Sequence, residues 1–231
     1  MNIIPKPNGP VITRLGAYLL PDPFDVDIGD FETWCLEAFA QRSAARPQFL
    51  GRRAEDGPNR GDTVTRDSIL DVRLVRDSTM PDEAYILSVN NDGIIVKAAS
   101  ERAVVWALTT LVESMGPDRS FPLFSVEDAP RCRHRGQMLD CARHFFPVTQ
   151  VKKIIEQLAL VKMNVLHWHL CDDQGWRIQS RTFPLLHEKC PAYYTQDEIG
   201  EVVEYARVRG IEIVPEIDMP GHVLGLLTAY P

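Results

Sequence analysis

From residue 131 onward, short apolar segments alternate with amphipathic ones. Residues 137–141, 164–170 and 211–217 have the length and apolar content of buried strands. The segments between them carry apolar residues at helical spacing. Strands separated by single helices pair in parallel, so the sequence predicts a parallel α/β unit in this half of the chain.

Both intervening helices have a predicted start. Thr149 is placed to cap the first helix, and Thr195 with Glu198 forms a capping box at the second. Gly210 is a natural stop for the second helix because glycine tolerates the left-handed conformation at a helix end.

Polar residues lie at or just after the C-terminal end of each predicted strand. They are Asp140, Asp172, Asp173, Asp218 and His222. The alternation of strands and helices fits either an open sheet or a barrel. A (β/α) barrel builds its active site at the C-terminal end of its strands, where these polar residues lie. An eight-unit barrel takes roughly 250 residues, and only three strands fit after residue 136. We therefore expect the first three βα units of a truncated (β/α)8 TIM barrel in residues 131–231, ending before the fourth strand.

Residues 1–130 are predicted to form a small N-terminal α+β domain. An amphipathic helix over residues 31–39 follows Asp30 as its cap, and residues 51–63 are expected to form an exposed loop. Residues 84–89 and 94–98 are predicted to form a β-hairpin, because the Asn90-Asn91-Asp92-Gly93 turn tolerates positive φ.

A second helix is expected in this domain after the hairpin. Ser100 is placed to cap it, and the helix should end near Gly116.

Composition excludes several classes of function. The chain has 231 residues, 45% of them hydrophobic and 25% charged, as in globular proteins. Its net charge is -7 and its basic residues form no cluster in the sequence, so we expect neither nucleic acid nor a membrane as partner. The five cysteines form no C-x-x-C pair, and no cofactor is predicted. The N-terminus has no signal-peptide pattern, so a cytoplasmic location is expected.

Three segments carry chemistry: residues 135–147, 164–177 and 213–222. Arg135 is a rigid fork of donors suited to holding two adjacent sugar hydroxyls, although a surface or ion-pair role is the commoner one for a lone arginine. Asp140 alone fits a structural partner for Arg143 or His144 better than a catalyst.

The second segment contains the H-x-H pair His167 and His169, which strand alternation places on one face. Such a pair also opens the metal site of amidohydrolase-type enzymes, so a metal hydrolase with bound zinc is an alternative. The downstream sequence shows no further His or Cys ligand set, and we predict no metal. In the third segment, Asp218 and His222 fit either charge transfer or a hydrogen bond that orders a loop.

Together the three segments closely resemble β-N-acetylhexosaminidases of glycoside hydrolase family 20. The characteristic runs of that family look like R-G-x-x-L-D-x-x-R-H-F-F, H-x-H-L-x-D-D-Q-G-W-R and P-E-I-D-x-P-G-H. The match covers nearly all of residues 133–231. Residues 1–130 more loosely resemble the small α/β domain that precedes the barrel, best at residues 3–7 and 93–111.

The resemblance implies release of a terminal non-reducing N-acetylhexosamine from an oligosaccharide or glycoconjugate by substrate-assisted, retaining catalysis. It implies that Arg135 anchors the terminal sugar and that Asp172 and His222 form a relay to a catalytic glutamate. The polar shell around them is then formed by Asp140, His169, Asp173 and Asp218. The choice between GlcNAc and GalNAc, the linkage and the oligomeric state stay open.

The family's catalytic Asp-Glu pair, in a run like H-x-G-G-D-E, is absent from the sequence. Asp82-Glu83 belongs to the first domain, and Asp197-Glu198 belongs to a capping box. We expect an N-terminal fragment of a hexosaminidase that is inactive as it stands. The alternative is a non-catalytic protein of the same family that binds glycans or a partner enzyme.

Overall fold

The computed structural model describes residues 6–20, 24–43, 47–49, 71–118 and 120–231. The predicted loop at residues 51–63 and most of the segment 3–7 lie outside this part of the chain. The chain divides into two compact units, Met1–Arg131 and Cys132–Pro231. Within the described residues, no helix is long and apolar enough to cross a membrane.

The first unit is built on one seven-stranded mixed sheet with helices packed against it. The elements are β1 (Val11–Leu19), β2 (Phe24–Asp27), α1 (Glu37–Ser43), β3 (Pro47–Phe49), β4 (Val72–Arg76), β5 (Tyr85–Asn90), β6 (Gly93–Ala98), α2 (Glu101–Ser114) and β7 (Ser120–Asp128). The strand order is β1-β7-β5-β6-β4-β2-β3. Helix α2 packs against β5 and β6, and α1 packs against α2.

The predicted hairpin and the helix after it are confirmed. β5 and β6 pair in antiparallel fashion through Asn90 and Gly93, and Gly93 adopts a φ of 135°. The Ser100 side chain accepts a hydrogen bond from the Ala103 N–H and caps α2. These features are decided by residues close together in the chain, so the sequence alone was sufficient to predict them.

The predicted cap of the first helix is wrong. The helical segment begins with a 3-10 turn at Thr33–Leu36, which follows Glu32 and has no side-chain cap, so Asp30 lies too early to cap it. The apolar face is as predicted, since Phe31, Cys35 and Phe39 are buried in the core.

The second unit contains a three-stranded parallel sheet, which confirms the predicted parallel pairing. Its elements are β8 (Gly136–Asp140), α3 (Val148–Leu160), β9 (Val165–His169), β10 (Cys171–Asp172), β11 (Gly175–Trp176), α4 (Leu185–Glu188), α5 (Gln196–Arg207), β12 (Glu212–Glu216) and α6 (Leu224–Ala229). The strand order in the parallel sheet is β12-β9-β8.

One face of this sheet is covered by helices. Leu139 and Trp168 on that face pack in one apolar core with Val151 and Ile155 of α3 and Val202 of α5. Alternation along the strands then leaves every second residue, including Asp140 and His169, for the opposite face.

The two predicted helix starts in this unit have different outcomes. The Thr195–Glu198 capping box of α5 is present, and Gly210 after this helix has a φ of 73°. The expectation for Thr149 is wrong, because α3 begins at Val148 with Pro147 at the cap position, and Thr149 lies within its first turn.

Candidate active site

Three polar side chains lie in one row at the C-terminal edge of the parallel sheet. Asp140, His169 and Glu216 are in register on β8, β9 and β12. Residues in register on neighbouring strands point to the same side, so this row is on the face that the helices leave open.

Asp172 is at the centre of the cluster, and its side chain is only 2% exposed. Its Oδ2 lies 2.6 Å from Arg143 Nη2, 3.0 Å from His169 Nε2 and 3.8 Å from His222 Nδ1. Its Oδ1 accepts the backbone N–H of Asp173 at 2.7 Å. Burial alone would raise the pKa of Asp172, but these hydrogen bonds and cationic neighbours outweigh burial and lower the pKa.

Arg143 links two carboxylates at the mouth of the site. Its Nη1 donates to Asp140 Oδ2 at 2.6 Å, its Nη2 lies 2.6 Å from Asp172, and its backbone N–H donates to Asp140 Oδ1. The side chain is 48% exposed. A guanidinium has five N–H groups, and these two contacts engage one on each terminal nitrogen. The cluster therefore presents a fixed, exposed cation.

The His222 side chain contacts Asp218, which lies four residues earlier in the loop after β12. Its Nδ1 lies 2.8 Å from Asp218 Oδ2, and its backbone has a φ of 58°, which is uncommon for residues other than glycine. The hydrogen bond to Asp218 and the charge of Asp172 raise the pKa of His222. The backbone N–H of Asp218 donates to Cys171 Sγ at 3.1 Å, which holds the loop against β10.

Asp173 contacts a different element from the other predicted residues. It accepts the backbone N–H of Leu224, the first residue of α6, at 3.1 Å. Within the predicted polar shell, Asp140, His169 and Asp218 lie in the cluster, and Asp173 lies at its margin.

Arg135 lies outside the cluster, so the structure does not bring it together with the other predicted site residues. It precedes β8, and Asp140 ends that strand, so at about 3.3 Å per residue the two lie roughly 17 Å apart. Its guanidinium donates to the carbonyls of Lys162 and Cys132, at 2.8 Å each. These contacts join the N-terminal ends of the strands, where a structural role is expected.

Sequence reasoning missed Arg143, which was considered only as a partner of Asp140. The rule that placed the acids at the C-terminal ends of strands also identifies this residue, because Arg143 follows β8 by three residues. The same rule places Arg135 at the other end.

The two histidines predicted to share a face both contact Glu216. His169 Nδ1 lies 2.8 Å from Glu216 Oε1, and His167 Nε2 is in close contact with Glu216 Oε2. A shallow depression lies beside this row. It is lined by Cys171, Asp172, Gly175, Trp176, Asp218, His222, Val223 and Leu226.

Among the residues that the structure describes, two sets of side chains have potential metal-ligand atoms within 4.8 Å of one another. They are His169, Glu216 and Asp218, and Asp172, Asp218 and His222. These atoms already pair with one another, and the Arg143 guanidinium lies directly on Asp172. The geometry is that of an internally paired charge cluster and gives no separate indication of a metal.

The fold and the cluster together define a class of protein. A parallel α/β unit with acids, histidines and an arginine at the carboxyl ends of its strands has the organisation of an α/β enzyme. Residues 132–231 match the sequence model of the catalytic domain of glycosyl hydrolase family 20, and residues 1–129 match that of its domain 2. The chain belongs to glycosyl hydrolase family 20, which confirms the resemblance.

Relatives of known type support the same assignment. A β-hexosaminidase of Vibrio furnissii is 42% identical over 184 residues, covering 70% of this chain and 30% of that protein. The crystal structure of a β-N-acetylhexosaminidase from Bacteroides fragilis covers 99% of this chain and 47% of its own, with a TM-score of 0.85 and 29% identity.

A family 20 exo-β-N-acetylglucosaminidase from Vibrio harveyi, solved in complex with N-acetylglucosamine, covers 98% of this chain and 37% of its own. Its TM-score is 0.80 and its identity 30%. The chain spans between 23% and 36% of the length of the curated relatives that it matches.

Proposed function

We propose that this chain is part of a β-N-acetylhexosaminidase that removes a terminal N-acetylhexosamine from an oligosaccharide or glycoconjugate. In this proposal, residues 132–231 form the first three βα units of a (β/α)8 barrel. The parallel sheet, the cluster at its carboxyl edge and the relative bound to N-acetylglucosamine support it.

The observation that carries the proposal is the fixed guanidinium of Arg143. Two carboxylates hold it at the mouth of the sheet, with about half of the side chain exposed. A guanidinium fixed in this way can donate to two adjacent hydroxyls of a sugar without first being ordered. We therefore assign to Arg143 the role that the sequence suggested for Arg135.

Asp172 and His222 have the properties of an acid-base relay. His222 is exposed and favours its charged form, and the ionised Asp172 lies behind it, 3.8 Å away. A cationic imidazole beside a third carboxyl group would tune the proton affinity of that group. In the substrate-assisted route, the acetamido oxygen of the substrate attacks the anomeric carbon, and such a carboxyl group protonates the leaving oxygen.

Hydrolysis of nitrophenyl N-acetylglucosaminide, measured for the complete reading frame that contains residues 1–231, tests the proposal. The corresponding nitrophenyl glucoside, which has no acetamido group, should not be hydrolysed. The 231 residues expressed alone should also give no turnover, because they do not contain the family's catalytic Asp-Glu pair, which would supply the proton for the leaving oxygen. Turnover by the 231 residues alone would make Asp173 or Glu216 the acid to examine first.

A matched pair of variants tests the arginine. Arg143→Lys removes the planar fork but keeps the charge, and kcat/KM should fall on the order of 30-fold or more, as expected for about 2 kcal/mol of lost charged hydrogen bonding. Arg135→Lys changes the same residue type eight positions earlier and should leave kcat/KM within a few-fold of wild type. A larger fall in kcat/KM for Arg135→Lys than for Arg143→Lys would indicate that Arg135, and not Arg143, binds the sugar.

A further inference from the structure

The open face of the parallel sheet carries a second set of paired charges behind Asp172. His167 and His169 lie two residues apart on β9, and Glu216 lies opposite His169 on β12. Each oxygen of the Glu216 carboxylate faces a different histidine, with Oε1 toward His169 and Oε2 toward His167. One carboxylate therefore joins two imidazoles.

The ring of His169 is held from both sides. Its Nε2 lies 3.0 Å from Asp172 and its Nδ1 lies 2.8 Å from Glu216, while its side chain is 3% exposed. Neither His169 Nδ1 nor Glu216 Oε2 forms a hydrogen bond in the structure, so both contacts of Glu216 with the imidazoles are close electrostatic contacts.

Asp172 depends on this arrangement for one of its partners. The same Asp172 oxygen contacts His169, Arg143 and His222. If the His169 ring turned, the Asp172 carboxylate would lose a buried partner, and its contact with His222 would change with it. The orientation of His169 thus bears on the relay that the proposed function uses.

We propose that Glu216 is a positioning residue, which fixes the imidazole of His169 against Asp172 through its shared contact with His167. It acts through His169 and does not touch substrate. The inference deepens the proposed function, and its kinetic arm rests on that function.

The kinetic test compares Glu216→Ala, Glu216→Gln and Glu212→Ala in the complete reading frame. Glu216→Ala should lower kcat on the order of 100-fold, as expected for a misplacement of about 1 Å at the reacting groups. KM should stay within about threefold, because Arg143 keeps Asp140. Glu216→Gln keeps the shape and one acceptor oxygen and should recover part of the loss. Glu212 lies on the same strand and face but is exposed, so Glu212→Ala should behave as wild type.

A second measurement does not depend on catalysis. The ¹⁵N chemical shifts of the His169 ring, observed after ¹⁵N-histidine labelling and assigned with His169→Gln, should be the same in wild type and Glu212→Ala and should change in Glu216→Ala. If the wild type fails to hydrolyse the substrate, the proposed function is wrong, and these chemical shifts still decide whether Glu216 holds His169. Unchanged His169 chemical shifts in Glu216→Ala, a change of the same size in Glu212→Ala, or full kcat in Glu216→Ala would each overturn the inference.

Discussion

Replacing Arg177 by methionine should loosen the segment that carries Arg143. Arg177 is 6% exposed. Its guanidinium donates to the carbonyls of Cys141 at 3.0 Å, Ala142 at 2.8 Å and Ala192 at 2.9 Å. Two of these acceptors immediately precede Arg143, so one buried side chain joins the end of β8 to the loop after β9.

The magnitude follows from the number of contacts that are lost. A hydrogen bond to a charged group contributes about 1.5–3 kcal/mol, and the cost of burying the guanidinium offsets part of the sum. Methionine fills a similar volume but leaves the three carbonyls without these donors. We expect a loss of about 3 kcal/mol, which is a large fraction of the stability of an ordinary domain.

Hydrogen exchange measures this loss locally. The amides of Cys141 and Tyr194, which donate to the carbonyls of His169 and Arg177, should exchange about 100-fold faster in Arg177→Met. The control is Arg207→Met on α5. Its guanidinium pairs with Glu204 at the surface, and such a pair contributes less than about 1 kcal/mol. Equal exchange rates in the two variants would refute the argument that the buried contacts of Arg177 hold this segment.

Two further predictions concern charge and packing. The NMR titration midpoint of His222 should lie above the ordinary histidine value of about 6.5, and Asp218→Asn should lower it, because Asp218 is the largest cause of the raised pKa. The contribution of protonated His222 to stability should be complete below that ordinary value and should disappear as the pH rises through the pKa of His222 in the folded protein. A titration midpoint that Asp218→Asn leaves unchanged would contradict the prediction. Gly200→Ala should raise the melting temperature, since no neighbouring atom lies within 4 Å of the added methyl group and alanine favours the helix by up to about 1 kcal/mol. Gly225→Ala should lower the melting temperature, because the methyl group would lie 3.0 Å from the Asp172 carbonyl oxygen. A higher melting temperature for both variants would show that α6 can shift to accommodate the methyl group.

Features that depend on neighbouring residues were predicted from the sequence. The hairpin at Asn90 to Gly93, the Ser100 cap and the Thr195 capping box each involve groups within four residues of one another. The common face of His167 and His169 follows from the alternation of a strand. The family resemblance also came from the sequence, because it rests on long runs in a fixed order.

The predicted caps at Asp30 and Thr149 were wrong for a local reason. A capping residue must lie at the boundary between extended and helical backbone, and both Asp30 and Thr149 miss this boundary. Aspartate and threonine are common capping residues, but Glu32 and Pro147 occupy the cap positions in the structure.

The tertiary structure decided which distant residues meet. The contacts of Arg143 with Asp172, of Arg177 with Cys141 and of Glu216 with His169 join residues 29 to 47 positions apart. They depend on the register of parallel strands and on the path of the loop after β9, which residue types alone do not specify. Arg135 and Arg143 are both arginines next to β8, yet only Arg143 reaches the cluster. Arg135 precedes the strand and Arg143 follows it, so the length of β8 separates the two side chains.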